Sequence, residues 1–155
     1  MDTNAIGDRT RRLALEQSFC IIAARSVNAD RQRVFHALTI PEYIETWISV
    51  PGALTGRTLV CRRDDSFSIS YSCAESGSFR ILCSYKVCRR NKLMFTWKHD
   101  NASEGNSSLV KIRLQGDFGR TAVCVIHVGL EPSDRQWHQE LWQSSLGKMC
   151  KLFRS

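Results

Sequence analysis

No run of about 18 apolar residues occurs in the chain, so no segment reads as a transmembrane helix. The stretch Met1 to Gln17 is polar and lacks the apolar centre of a secretory signal, so a cytoplasmic location is expected. There is no Cys-x-x-Cys pair and no His-Glu-x-x-His helix, and no zinc site is predicted. Internal repeats, a long basic block and a helix-turn-helix signature are also absent. Proline is scarce, with three residues, and each marks a helix or turn boundary: Pro41, Pro51 and Pro132.

What is present is ordinary globular composition, 43% hydrophobic and 24% charged over 155 residues. That length suits one domain, and such a domain buries roughly 70% of its unfolded surface. Residues 1–17 read as a flexible leader and 18–155 as the domain. The seven cysteines are odd in number and scattered, which argues against a disulfide framework. They are expected to be reduced and mostly buried as small hydrophobes. The net charge of +7 comes in short groups such as Arg62-Arg63 and Arg89-Arg90. It reads as ordinary surface charge, and nucleic acid is not an expected partner.

Periodicity gives the element order. An Ile- and Ala-rich strand over about Phe19 to Ser26 comes first. Asn28 or Asp30 then caps a helix whose apolar face is Val34, Phe35 and Leu38. Thr39-Ile40-Pro41-Glu42 has the pattern of a capping box with Pro in the first turn, so a second short helix carries Tyr43, Ile44 and Trp47. From Thr55 the period becomes two, as in half-buried antiparallel strands. Phe67, Ile69, Tyr71 and Cys73 share a face, as do Phe79, Ile81, Cys83, Tyr85 and Val87, then Leu93, Phe95 and Trp97, then Val110, Ile112 and Leu114. Polar loops occupy Asp100 to Asn106 and Gly116 to Gly119. The strand Thr121 to Val128 is apolar on both faces, so it is either covered on both sides or is a protein interface on one, as in a homodimer. Ser133 or Asp134 caps a last helix of about twenty residues, near 30 Å long, with an apolar stripe through Trp137, Leu141, Trp142, Ser145, Leu146, Met149, Leu152 and Phe153.

Four segments carry a family resemblance. Val34-Phe35-His36-Ala37-Leu38-Thr39-Ile40-Pro41-Glu42 followed by Trp47 resembles the opening of the heat-shock protein 90 ATPase activator homologue family, of the START-like superfamily. Lys92-Leu93-Met94-Phe95-Thr96-Trp97 is similar to its Leu-x-x-Thr-Trp strand. Thr121, Val123, Val125, His127 and Gly129 resemble its last strand, and Trp142 with Leu146 its closing helix. The likeness runs from about Phe19 to Phe153. It implies an α+β helix-grip fold: a curved antiparallel sheet of six to seven strands around a long C-terminal helix, with two short helices after the first strand. The family often has Gly before the helix Trp. Here Leu141 stands there, and it is expected to narrow the space between helix and sheet.

The resemblance implies a cavity between sheet and helix that binds a small hydrophobic ligand. Its candidate lining is Trp47, Phe67, Ile69, Tyr71, Ile81, Tyr85, Phe95, Trp97, Val125, His127, Trp142 and Leu146, all of which also suit a plain core. His127 either points into the cavity as an acid–base group or is buried against a backbone carbonyl. His36, His99 and His138 are expected at the solvated surface. No nucleophile–base–acid set is visible, and no catalytic residue, metal or cofactor is assigned. A chaperone-associated interaction domain and a cyclase- or hydrolase-like enzyme on a hydrophobic substrate are the competing readings.

Overall fold

The computed structural model describes residues 20–101 and 107–154. The expected leader, residues 1–17, and most of the loop around Gly105 lie outside the described residues. Among those described, no helix is long and apolar enough to cross a membrane. Seven strands form one antiparallel sheet: β1 (Ile21–Val27), β2 (Leu59–Arg63), β3 (Ser66–Cys73), β4 (Gly77–Arg89), β5 (Lys92–His99), β6 (Ser108–Asp117) and β7 (Arg120–Val128). Their spatial order is β1-β7-β6-β5-β4-β3-β2. All connections from β2 to β7 join neighbours, and the one long-range step brings β1 beside β7, with Ile21 opposite His127 and Val27 opposite Thr121.

Two short helices, α1 (Arg31–Thr39) and α2 (Pro41–Trp47), follow β1, and a long helix, α3 (Arg135–Leu152), closes the chain. This is the helix-grip arrangement that the sequence implied. Asp30 caps α1, its carboxylate accepting from Arg33 N at 2.8 Å. The capping box expected at Thr39 does not form. Thr39 is still inside α1, where its hydroxyl donates to Phe35 O at 2.8 Å, and Ile40 stands at the N-cap of α2 without a side-chain bond. Nor does Ser133 or Asp134 cap α3 by a side chain, because a 3-10 turn (Pro132–Asp134) leads into it and supplies the backbone bond from Asp134 N to Glu131 O.

Alternation sends one set of strand residues inward. Val60, Ile69 and Ile81 form one cross-strand row, Tyr85, Phe95, Val110 and His127 another, and Leu93, Ile112, Val125 and Ala23 a third. Nearly all of these are buried. In β4 the face expected to run to Val87 stops at Tyr85. The pairing slips between Tyr85 and Val87, so Val87 stands opposite the outward Met94. A bulge inserts one residue and reverses the faces beyond it. The second face of β7 is not covered on both sides: Ala122 is exposed and Cys124, Ile126 and Val128 are half-buried. The cysteines are all free, and only Cys83 is buried, with Cys61 and Cys88 exposed. Most of them alternate onto the outer face or lie near strand ends, which corrects the expectation of burial.

Side-chain bonds tie α2 to the sheet and α3 to the segment after α2. Glu45 of α2 accepts from Val60 N on the edge strand β2 at 2.8 Å, and Ser145 of α3 accepts from Ser49 N at 2.9 Å. Helix α3 has one internal glycine, Gly147, whose missing Cβ would meet only the Arg25 guanidinium at an ordinary 3.8 Å. Gly147→Ala should therefore raise the unfolding free energy by about 0.5–1 kcal/mol through helix propensity, read from the urea midpoint at unchanged m-value.

Candidate functional site

The twelve candidate residues fall into three groups. Trp97, His127 and Trp142 meet beneath α3. Phe67, Tyr85 and Phe95 cluster on the inner face of β3, β4 and β5. The rest, Trp47, Ile69, Ile81, Val125 and Leu146, are fully or nearly fully buried core, with Tyr71 at the rim stacked on Phe79 at 5.6 Å. Trp47 is held by its indole, which donates to Ala37 O at 2.7 Å.

The first group is a closed polar network. The indole of Trp142 donates to His127 Nδ1 at 3.0 Å, so that nitrogen carries a lone pair. Neutral His127 is then protonated on Nε2, which donates to Ser108 Oγ at 2.7 Å, and the Ser108 hydroxyl donates to Trp97 O at 3.2 Å. The Trp97 indole in turn donates to His138 Nε2 at 3.2 Å, and His138 Nδ1 donates to Asp134 O at 2.7 Å. His99 lies 3.4 Å from the same His138 nitrogen. Trp97 and Trp142 pack with ring centroids 5.4 Å apart, and Trp97 meets His127 edge to face at 5.4 Å.

Burial decides the charge state of these rings. It pushes the His127 pKa down to about 2, helped by the nearness of His138 and His99. It pushes His138 down to about 4 against the opposing pull of the Asp134 carbonyl. His99, less buried, is also lowered by burial, with Asp134 and Asp100 opposing. The geometry agrees, because an imidazolium at either ring would aim a proton at an indole N–H. His127 is wholly buried with both nitrogens engaged, so it has neither the access nor the free lone pair that acid–base catalysis requires.

Two expectations change at this site. His138 is 2% exposed, not solvated, and His99 is half-buried; only His36 is at the surface. His127 bonds a serine and an indole rather than a backbone carbonyl. His138, His99 and Ser108 were not among the candidates. Spacing held the signal: His138 precedes Trp142 by four on the α3 stripe, and His99 has the parity of Phe95 and Trp97. Leu141, next to Trp142 on α3, is fully buried, as are Leu146 and Met149.

The second group is less settled internally. Phe67 lies 5.2 Å from Tyr85 and 5.1 Å from Phe95 between ring centroids, and the Arg62 guanidinium sits 5.2 Å over the Tyr85 ring. Arg62 also donates to Thr39 O at the end of α1, at 3.2 Å. The Tyr85 hydroxyl is buried, yet among the described residues it has no hydrogen-bond partner. Burial raises its pKa to about 12, against the opposing charge of Arg62. Tyr71, also pushed up to about 12 by burial, stays a neutral phenol.

Two surface clefts lie elsewhere. One of about 590 Å³ runs over the outer sheet face past Arg63, Ser68, Leu82 and Lys98. Another of about 400 Å³ lies between α1, α2 and the end of α3, beside Arg33, Tyr43 and Phe153. Among the described residues no three His, Cys, Asp or Glu side chains gather to hold a metal ion.

The model of one protein family, Activator of Hsp90 ATPase homolog 1-like protein, matches residues 28–154. The chain belongs to the Activator of Hsp90 ATPase homolog 1-like family. The matched span begins just after β1 and takes in all four motifs read from the sequence. No curated protein matches the sequence. Solved structures similar to this Activator of Hsp90 ATPase homolog 1-like chain include a Chromobacterium violaceum protein, with a TM-score of 0.74 at 17% identity, covering 88% of this chain and 98% of that one. An Arthrobacter aurescens protein gives 0.72 at 12% identity over 88% and 87% of the two chains. A Nitrosomonas europaea protein gives 0.67 at 18% identity over 89% and 96%. At these identities the likeness is one of fold.

Proposed function

We propose that this family member binds a small hydrophobic molecule against the inner face of β3, β4 and β5, with a polar group of the ligand on the Tyr85 hydroxyl. The observation that carries this reading is the unpaired buried hydroxyl itself. Leaving such a group unsatisfied costs about 1–3 kcal/mol, and it stands among Phe67 and Phe95, where an apolar body would pack. Ligand sites of this kind are mostly apolar with a few placed polar groups. The general family reading, a hydrophobic-ligand-binding domain, supports it. The Trp–His network beneath α3 has no polar atom to spare, so the ligand position moves from under Trp142 toward Tyr85.

A thermal-shift series with fatty acids, sterols and aromatic polyketides tests the proposal. A ligand at 100 times its Kd adds about 2.7 kcal/mol of stability. Tyr85→Phe should stabilise the free protein by about 1 kcal/mol, since it removes an unpaired hydroxyl, while weakening the shift from any ligand found. A full panel without a shift, together with a Tyr85→Phe variant no more stable than the parent, would sink the reading.

A further inference from the structure

The positive charge of the chain is segregated. The seven strands hold eleven Lys and Arg residues and one acid, Asp117, against 22 and 15 in the whole sequence. Among the described residues outside the strands acids outnumber bases, ten to eight, so within the described residues the sheet carries the excess. Register shows where. Arg89 stands opposite Lys92, and Lys92 opposite Arg113, on three adjacent strands. Lys92 and Arg113 alternate with the buried Leu93, Ile112 and Leu114, which puts the row on the outer face. Like charges directly opposite repel, and among the described residues none of the three has an ion-pair partner.

A second observation lies at the same end of the sheet. Leu114 N donates to Asn91 O at 2.9 Å, which ties the β4–β5 turn to β6 shortly before the β6–β7 turn. At the tip of that turn Phe118 is fully exposed, at 103%. Its φ is 42° and that of Gly119 is 77°, a pair of left-handed residues as in the type I′ hairpin turn that favours Asn, Asp or Gly. A bulky residue there is strained, and this one buries nothing in return.

We propose that this end of the sheet docks on an anionic lipid bilayer, with the Phe118 ring at headgroup level and the Arg89–Lys92–Arg113 row on acidic headgroups. Aromatic rings favour the membrane interface, and basic residues near an anionic leaflet are attracted to it. A lone ring on a hairpin tip suits a fluid apolar layer, which needs no shaped pocket. Single-stranded nucleic acid fits less well. The rings of the strands, Phe67, Tyr71, Phe79, Tyr85, Phe95 and Trp97, all lie on the inner face, so the outer face offers no stacking platform for bases.

Co-sedimentation with vesicles of phosphatidylcholine alone, and of phosphatidylcholine with phosphatidylserine, tests this. The protein should pellet only with the anionic vesicles, and less as salt rises. Arg113→Gln should weaken partitioning about fivefold. Phe118→Asn, which suits the turn, should weaken it while the unfolding midpoint holds or rises, a combination that damage to the fold would not produce. Equal binding to neutral vesicles, no binding to either, or partitioning indifferent to Phe118→Asn would overturn the proposal. So would retention on polyglutamate or single-stranded RNA without vesicle binding.

Discussion

Acidification from pH 7 to pH 5 should cost the protein on the order of 4 kcal/mol of unfolding free energy, most of it through His127 and His138. Unfolded, each imidazole takes up a proton as the pH falls through about 6.5. Folded, His138 resists until about pH 4 and His127 until about pH 2. Between these limits the unfolded chain binds more protons than the native one, so stability falls with pH. The full contribution is present above about pH 6.5, and each ring sheds about 1.4 kcal/mol per pH unit below it. Against a usual total of about 5–15 kcal/mol this is a large loss. Urea titrations at a series of pH values measure it, and a midpoint that does not move between pH 7 and pH 5 would refute it.

Trp142→Ala should be severely destabilising. It removes a fully buried indole, worth about 3–5 kcal/mol, and leaves His127 Nδ1 without its donor, a further cost of about 1–3 kcal/mol. Trp142→Phe separates the two effects, because it keeps most of the ring and loses only the N–H. It should cost about 1–3 kcal/mol. It should also flatten the pH dependence, since Nδ1 is then no longer blocked by a donor and His127 protonates at a higher pH. Nitrogen NMR of the imidazole reports this directly. A Trp142→Phe variant with an unchanged His127 titration would show that the indole bond does not set it.

Much of this fold was legible because it rests on local period. Alternation in Phe67 to Cys73 and in Leu93 to Trp97 marked the inner face, and the stripe through Trp142, Ser145, Leu146 and Met149 marked α3. What local period does not contain is pairing. The bulge that stops the β4 face at Tyr85, the meeting of Trp97 with His138 across 41 residues, and the Arg89–Lys92–Arg113 row all exist only once strands are in register. The misplacement of His138 has the same origin. A histidine early in a helix reads as solvated until a donor from another element, the Trp97 indole, is seen to meet it. Thr39 shows the reverse error, a motif with correct spacing that a nearer carbonyl, Phe35 O, claims first.

The pairing of β1 with β7 has a kinetic consequence. Ile21 and His127 are more than a hundred residues apart in the chain, so this ladder closes by far the longest loop in the sheet. The hairpins from β2 to β7 form from neighbours, whereas β1 has no partner until β7 has been made. Distant pairings slow folding, and an unpaired strand edge invites association with other chains. During synthesis β1 emerges before the other six strands of the sheet and is among the last of them to be satisfied. Its apolar run Ile21-Ile22-Ala23-Ala24 therefore stays exposed for most of the time the ribosome takes to complete the domain.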